Sequence, residues 1–254
     1  MTTAMFPWLI AIALNSALLL IAWFAPKKLL TPVGYAHAWC LGVIVWGCLG
    51  WQGYVVVMAY FLIGSGVTRI GMAEKEAAGI AEKRSGMRGP ENVWGSALTA
   101  TICALGATII ASGGVPSLST NWVALLSLGY VASFSTKLSD TTASEVGKAY
   151  GKRTFLITTL QPVPAGTEGA VSLEGTLAGI LGSAVIAGVG WATGLITAAG
   201  AVICLIAAFI ATNFESVIGA TLQEKLTWLT NELVNIVNTT VGAIAAIALA
   251  LIFQ

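Results

Sequence analysis

Asp140 and Glu145 stand in the stretch LSDTTASEVGKAYGKR, 138–153, among the hydroxyls of Ser139, Thr141, Thr142 and Ser144. Lys137 comes just before it, and Lys148, Lys152 and Arg153 close it. Carboxylates and hydroxyls are hard oxygen ligands that suit Mg²⁺, and lysine ammonium groups suit phosphate oxygens. On one helix, Lys137, Thr141, Ser144, Glu145 and Lys148 share a face, with Asp140 beside it. The chemistry open to such a set is the handling of phosphate with a divalent cation.

Three other polar pieces can join it. Residues 64–97 predict a helix over 72–85 with Lys75, Gly79, Glu82 and Lys83 on one face. The loop GMRGPENVWGS follows and offers Arg88 and Asn92 beside backbone N–H groups that can face an anion. After the opening stretch, TFLITT is a short β-prone run, and QPVPAGTEGAVSLEGT predicts a hairpin folding back with Thr167, Glu168 and Ser172 toward the site. Residues 213–240 carry Glu215, Glu232 and an amide stripe of Asn231, Asn235 and Asn238. Amides on a membrane helix either join helices, at about 0.6 kcal/mol per hydrogen bond, or mark a substrate or ion site. Together these segments offer Asp140, Glu145, Glu215 and Glu232 to a metal. They offer Lys75, Lys83, Arg88, Lys137, Lys148, Lys152 and Arg153 to phosphates.

The elements that position them are membrane spans. The chain of 254 residues is 57% apolar and 9% charged, against about 25% charged for a soluble domain. Such a composition predicts an all-α polytopic membrane protein, one integral domain over 1–254. Apolar runs cover 6–25, 34–50, 51–67, 93–113, 121–138, 174–192, 194–212 and 237–254, about eight spans, six at the least. Runs two and three are short and meet at GCLGWQG, which predicts a tight hairpin or one irregular element. The run from Phe6 has no preceding basic residue and no cleavage signal after it, so it reads as a retained span. Gly175-x₃-Gly179 and Gly190-x₃-Gly194 predict close helix crossings.

All twelve Lys and Arg fall in 26–33, 68–92, 137–173 and 213–236, the odd-numbered connections. The positive-inside rule then places those segments in the cytoplasm and both termini outside. The acidic residues lie in or beside the same segments, which that rule does not explain. A polar site on the cytoplasmic face does explain it. Net charge is +1, with no basic surface for nucleic acid. His37 is the only histidine and the four cysteines sit in apolar runs, so nucleophilic or His-base catalysis has no set of partners. Phosphoryl transfer needs positioning and charge neutralisation more than a base. A phosphate acceptor, with its second pKa near 6, is already an ionised nucleophile at pH 7.

DTTASEVG, VPAGTEGAVSLEGT, EKRSGMRGPENVWGSA and NELVNIVNTTVGA together resemble the transmembrane-protein-19 family, over about residues 40–250. That family includes plant and cyanobacterial phytyl-phosphate kinases. The resemblance implies transfer of a nucleotide γ-phosphate, from CTP by preference, to phytyl or another prenyl monophosphate at a bacterial or plastid-type membrane, with Mg²⁺ as cofactor. The product is the diphosphate used for tocopherol and related side chains. By position it implies site roles for Asp140, Ser144, Glu145, Gly147, Gly166, Thr167, Gly169 and Ser172, flanked by Arg88, Asn92, Asn231 and Asn235. Family members often carry Asp where this chain has Glu215 and Glu232, so Asp140 and Glu145 stand first as metal ligands. Two other readings remain: a CTP-dependent lipid cytidylyltransferase, and a transporter of a phosphorylated lipid. Transporters place polar sites near the midplane between related repeats; here the charges crowd one face and no repeat relates the halves.

Overall fold

The computed structural model describes residues 6–114, 120–223 and 225–253, leaving aside the side chains of Lys83, Ser85 and Thr120. Helices α1 (Phe6–Phe24), α2 (Pro32–Val67), α3 (Met72–Ala77), α4 (Pro90–Ala111), α5 (Thr120–Tyr150), α6 (Leu173–Ala192), α7 (Ala198–Ile218) and α8 (Asn231–Phe253) follow in order. Their starts are written locally. Thr31, Ser172 and Thr197 each precede a helix and accept from the amide of Gly34, Gly175 and Gly200, while Pro32 and Pro90 occupy first turns where a missing N–H is harmless.

Six of these helices, among the described residues, are long and apolar enough to cross a membrane. One of them crosses twice. A straight helix of 36 residues would run about 54 Å, yet both ends of α2 meet Arg88. Its backbone bonds Leu29 at 2.9 Å and Thr31 at 3.0 Å, while its guanidinium donates to Tyr60 at 2.7 Å. The reversal falls at Gly50, whose φ of 64° and ψ of −157° suit a residue without Cβ. Asn15 of α1 is touched from both halves: Tyr54 donates to it at 3.0 Å, and Gly42 leaves room for its amide. The runs 34–50 and 51–67 are thus two antiparallel spans.

α5 fails the apolar criterion and is the centre of the molecule, packed on by α2, α4, α6, α7 and α8. Ser133, Ser135 and Thr136 on it are fully buried in protein. A helix surrounded by other helices needs no lipid-compatible surface. The α5–α6 contact is built on small residues: a Cβ at Gly175 or Gly182 would stand 2.6 Å from Ala143 O and 2.5 Å from Thr142 Oγ1. Gly190 likewise packs on Val131, but Gly194 lies past the helix end with φ 79° and open space around it, so the second glycine pair makes half the crossing that its spacing predicts.

The helix expected over 72–85 is a correction. α3 stops at Ala77, Gly79 takes φ 71°, and a separate 3₁₀ turn covers Lys83–Gly86. A left-handed glycine ends the helix, so Lys75, Gly79, Glu82 and Lys83 do not share a face. The hairpin does form: β1 (Phe155–Leu156) pairs antiparallel with β2 (Ala170–Val171).

Successive spans alternate in direction, so the polar connections gather at one end of the bundle. Single cysteines at Ser112 or Ala192, in a background without the four native cysteines, should react in intact cells with an impermeant thiol reagent. One at Gln161 should react only after permeabilisation; external labelling there would reverse the orientation.

Candidate active site

At that polar end lies a cavity of about 810 Å³, within the range of small-molecule sites. α5 supplies Lys137, Asp140, Thr141, Ser144, Glu145 and Lys148; the start of α4 and the turn before it supply Arg88 and Asn92. Gly166, Thr167, Glu168 and Ser172 come from the hairpin, Glu215 from α7, and Asn231, Glu232 and Asn235 from α8. Segments more than a hundred residues apart therefore converge on one space.

The deep end is a charged cluster. Lys137 donates to Asp140 Oδ2 and to Asn235 Oδ1, each at 2.6 Å. Glu215 lies near Asp140 and Lys137 in the same cavity, and Asn238 donates to Glu215. Within the amide stripe, Asn238, fully buried, ties α8 to α7, while Asn235 accepts from Lys137 and lines the cavity. Among the described residues, no three His, Cys, Asp or Glu side chains lie close enough to hold a metal by themselves. Glu215 and Asp140 are together; Glu145 and Glu232 stand elsewhere on the wall.

Glu145 is engaged differently. It forms a buried ion pair with Lys75, whose ammonium also donates to Thr68 O at 2.9 Å, and Lys148 stands 3.9 Å from its other oxygen. Lys75 is 1% exposed and does not line the cavity, which corrects its expected contact with phosphate: it holds α3 against α5. Lys152 is exposed and also outside the lining. α5 ends at Tyr150, before Lys152 is reached. The Lys83 side chain lies outside the described residues.

The rim is built from glycine-bearing turns. Gly169, at φ 75°, lies against the end of α7, where a Cβ would stand 2.5 Å from Ser216 O and from the Ala220 side chain. That seat fixes the hairpin across the start of α6 and the π-helical turn Gly219–Gln223. Arg88 sits over the Tyr60 ring, its carbon 5.2 Å from the centroid. Asn92 accepts from Gly89 N at 3.0 Å and from Arg84 at 2.9 Å, so it caps α4 while facing the cavity. Arg84 and Glu91, which pair with each other, line the mouth as well. Neither was singled out by spacing, although both lie inside the motif EKRSGMRGPENVWGSA that flags Arg88. Ser139, among the hydroxyls of 138–153, and Ser96, inside EKRSGMRGPENVWGSA, also line the wall, while Thr212 has no signal beyond a hydroxyl in an apolar run.

A model of the integral membrane protein family DUF92 matches residues 15–243. An uncharacterized membrane protein of Synechocystis sp. is 68% identical over 244 residues, covering 96% of this chain and 92% of that one. Protein VTE6, chloroplastic, of Arabidopsis thaliana is 48% identical over 86% of this chain, which spans 64% of that protein's length. An uncharacterized membrane protein of Methanocaldococcus jannaschii is 33% identical over 82% of this chain and 80% of its own. No solved structure matches. The matched span reaches from the buried Asn15 of α1 into α8 and takes in every cavity residue, and on it the chain belongs to the integral membrane protein family DUF92.

Proposed function

We propose that this protein is a membrane-embedded kinase that transfers the γ-phosphate of a nucleotide, CTP by preference, to phytyl or another prenyl monophosphate. The observation that carries the reading is one cavity, at the end of an apolar bundle, holding Asp140 and Glu215 with Lys137, Lys148 and Arg88. The four motifs shared with phytyl-phosphate kinases support the acceptor, and a chloroplastic and a cyanobacterial relative support the setting.

The residues fit Mg²⁺. Two neighbouring carboxylates favour a cation beside them, and Lys137 sets only one positive charge against their two. Mg²⁺ takes one or two carboxylates and fills its remaining positions with water and substrate phosphate oxygens, so a third acid is unnecessary. Asp140 and Glu215 would hold it, and when bound it would neutralise charge on the nucleotide phosphates. Glu145, committed to Lys75, instead fixes the wall from which Lys148 reaches the phosphates as a point charge. Arg88 offers a fork to the same anions, its plane set by Tyr60. An oxygen of the prenyl phosphate forms the new bond to the γ-phosphorus as the bond to the β-bridging oxygen breaks, and the nucleoside diphosphate leaves. The acceptor is ionised at neutral pH, so no side chain has to remove a proton.

Purified protein with Mg²⁺, CTP and a panel of prenyl monophosphates should yield prenyl diphosphate and CDP; release of pyrophosphate would mark a cytidylyltransferase. Free prenol must lose a proton as it attacks, and the described cavity residues include no histidine to take it, so it should react about 10²-fold or more slowly. His37→Ala should keep most activity, because His37 accepts from Trp94 at 2.8 Å and does not line the cavity. Equal rates on the alcohol, or loss of activity in that variant, would remove the ionised-acceptor mechanism.

A further inference from the structure

One wall of the cavity carries apolar side chains of α6 and α7 that remain exposed. On the α4–α8 side, Thr99 Oγ1 lies 3.0 Å from Thr239 Oγ1 and 2.9 Å from Thr240 Oγ1, and Gly95 lets the Glu232 backbone within 3.3 Å of where a Cβ would stand. α5 and α6 interlock through glycines, α7 and α8 are tied by Glu215 and Asn238, and Arg88 ties the ends of α2 to α4. α6 and α7 pack on each other too; residues 193–197 join them at the end away from the hairpin, which seats on the end of α7.

Below the hairpin, Ile180 and Phe209 both line the cavity and are 38% and 47% exposed. Ile180 lies seven residues into α6 and Phe209 nine residues before the end of α7, so each stands about 10–14 Å from the polar end of its helix, at hydrocarbon depth. Just above them on the same wall, Thr212 Oγ1 is buried without a hydrogen-bond partner. One cavity wall therefore carries the carboxylate cluster, an unpaired hydroxyl and two exposed apolar side chains.

We propose that the seam between α6 and α7 at Ile180 and Phe209 is a lateral portal through which the isoprenoid chain of the acceptor lies in the bilayer, with these two side chains gripping the chain nearest its phosphate. This rests on the kinase reading for the identity of the ligand, but not for the place. An acceptor held this way keeps its tail in hydrocarbon throughout, so only the phosphate head must be desolvated and positioned. The first few isoprene units, next to Ile180 and Phe209, are then the part of the chain that the protein senses; the rest is in lipid.

The test is photolabelling of the intact protein in vesicles by a C20 prenyl monophosphate bearing a diazirine on its first isoprene unit, with adducts mapped by mass spectrometry. Adducts should concentrate in residues 176–180 and 209–213 and be competed by unlabelled prenyl monophosphate. Ile180→Trp should cut that labelling at least about tenfold and raise KM for the C20 acceptor more than for a C5 acceptor. Labelling on α1, or on the outer faces of α4 and α8, would overturn the portal, as would equal competition by phosphatidic acid. Labelling at the seam without phosphate transfer would overturn the kinase reading and keep the portal. Transfer with labelling elsewhere would do the reverse.

Discussion

Asp140→Asn should lower the Mg²⁺-dependent turnover of prenyl monophosphate by about 10²–10³, the usual consequence of losing one preorganised electrostatic contact. The substitution keeps the shape and removes the charge. Folding should survive it, because Lys137 retains Asn235 at 2.6 Å and the site is 17% exposed at the Asp140 side chain. The loss should be steepest at low Mg²⁺ and recover in part as Mg²⁺ is raised, since a carboxylate that shares a cation with Glu215 acts first on its affinity. If the cluster were only a solvated helix end, exposed pairs of this kind would contribute about 0–1 kcal/mol. Turnover of the well-folded variant within about threefold of wild type would end the catalytic reading of Asp140.

Lys75→Met should act on the fold. Its ammonium is buried with Glu145, and removing one partner of such a pair leaves an uncompensated charge in protein, about 3–5 kcal/mol. The Thr68 carbonyl also loses its donor. The expected result is a marked fall in thermal midpoint in detergent and loosening of α3 from α5, seen as faster proteolysis within 72–90. The pair Lys75→Met with Glu145→Leu should recover most of that stability, because replacing both buried charges by apolar groups is often neutral or better. A single variant as stable as wild type would mean that Glu145 finds its charge compensated by Lys148 alone, at 3.9 Å.

Spans, sidedness of charge and the continuation of α5 into the polar segment are readable in the sequence because each is a local property of composition or period. The hairpin is readable too, from its Pro and Gly punctuation. Lys75 is not. Its spacing puts it beside Glu82 and Lys83, and what decides its role is Glu145, seventy residues away and buried by the bundle. The helical period through 72–85 continues past Gly79 in letters but not in space, because a glycine at φ 71° ends a helix whatever pattern follows it. The acids Asp140 and Glu215 are both visible as acids. That they meet, while Glu145 and Glu232 stand apart, depends on how α7 crosses α5, and spacing along the chain carries no information about that crossing.

The burial of α5 has a consequence for how the protein is made. Ser133, Ser135, Thr136 and Lys137 are covered by neighbours in the finished bundle, yet α6, α7 and α8 are synthesised after them. A lone α5 entering lipid would expose those groups, and buried polar side chains within a span disfavour its insertion until partners cover them. Partition of α5 out of the translocon is therefore unfavourable until its partners emerge, and its release is coupled to theirs. The helix that carries the site is thus a late passenger of its own biogenesis, and truncation of the chain after Tyr150 should leave α5 retained at the translocon or expelled to the aqueous side while α1, α2 and α4 insert.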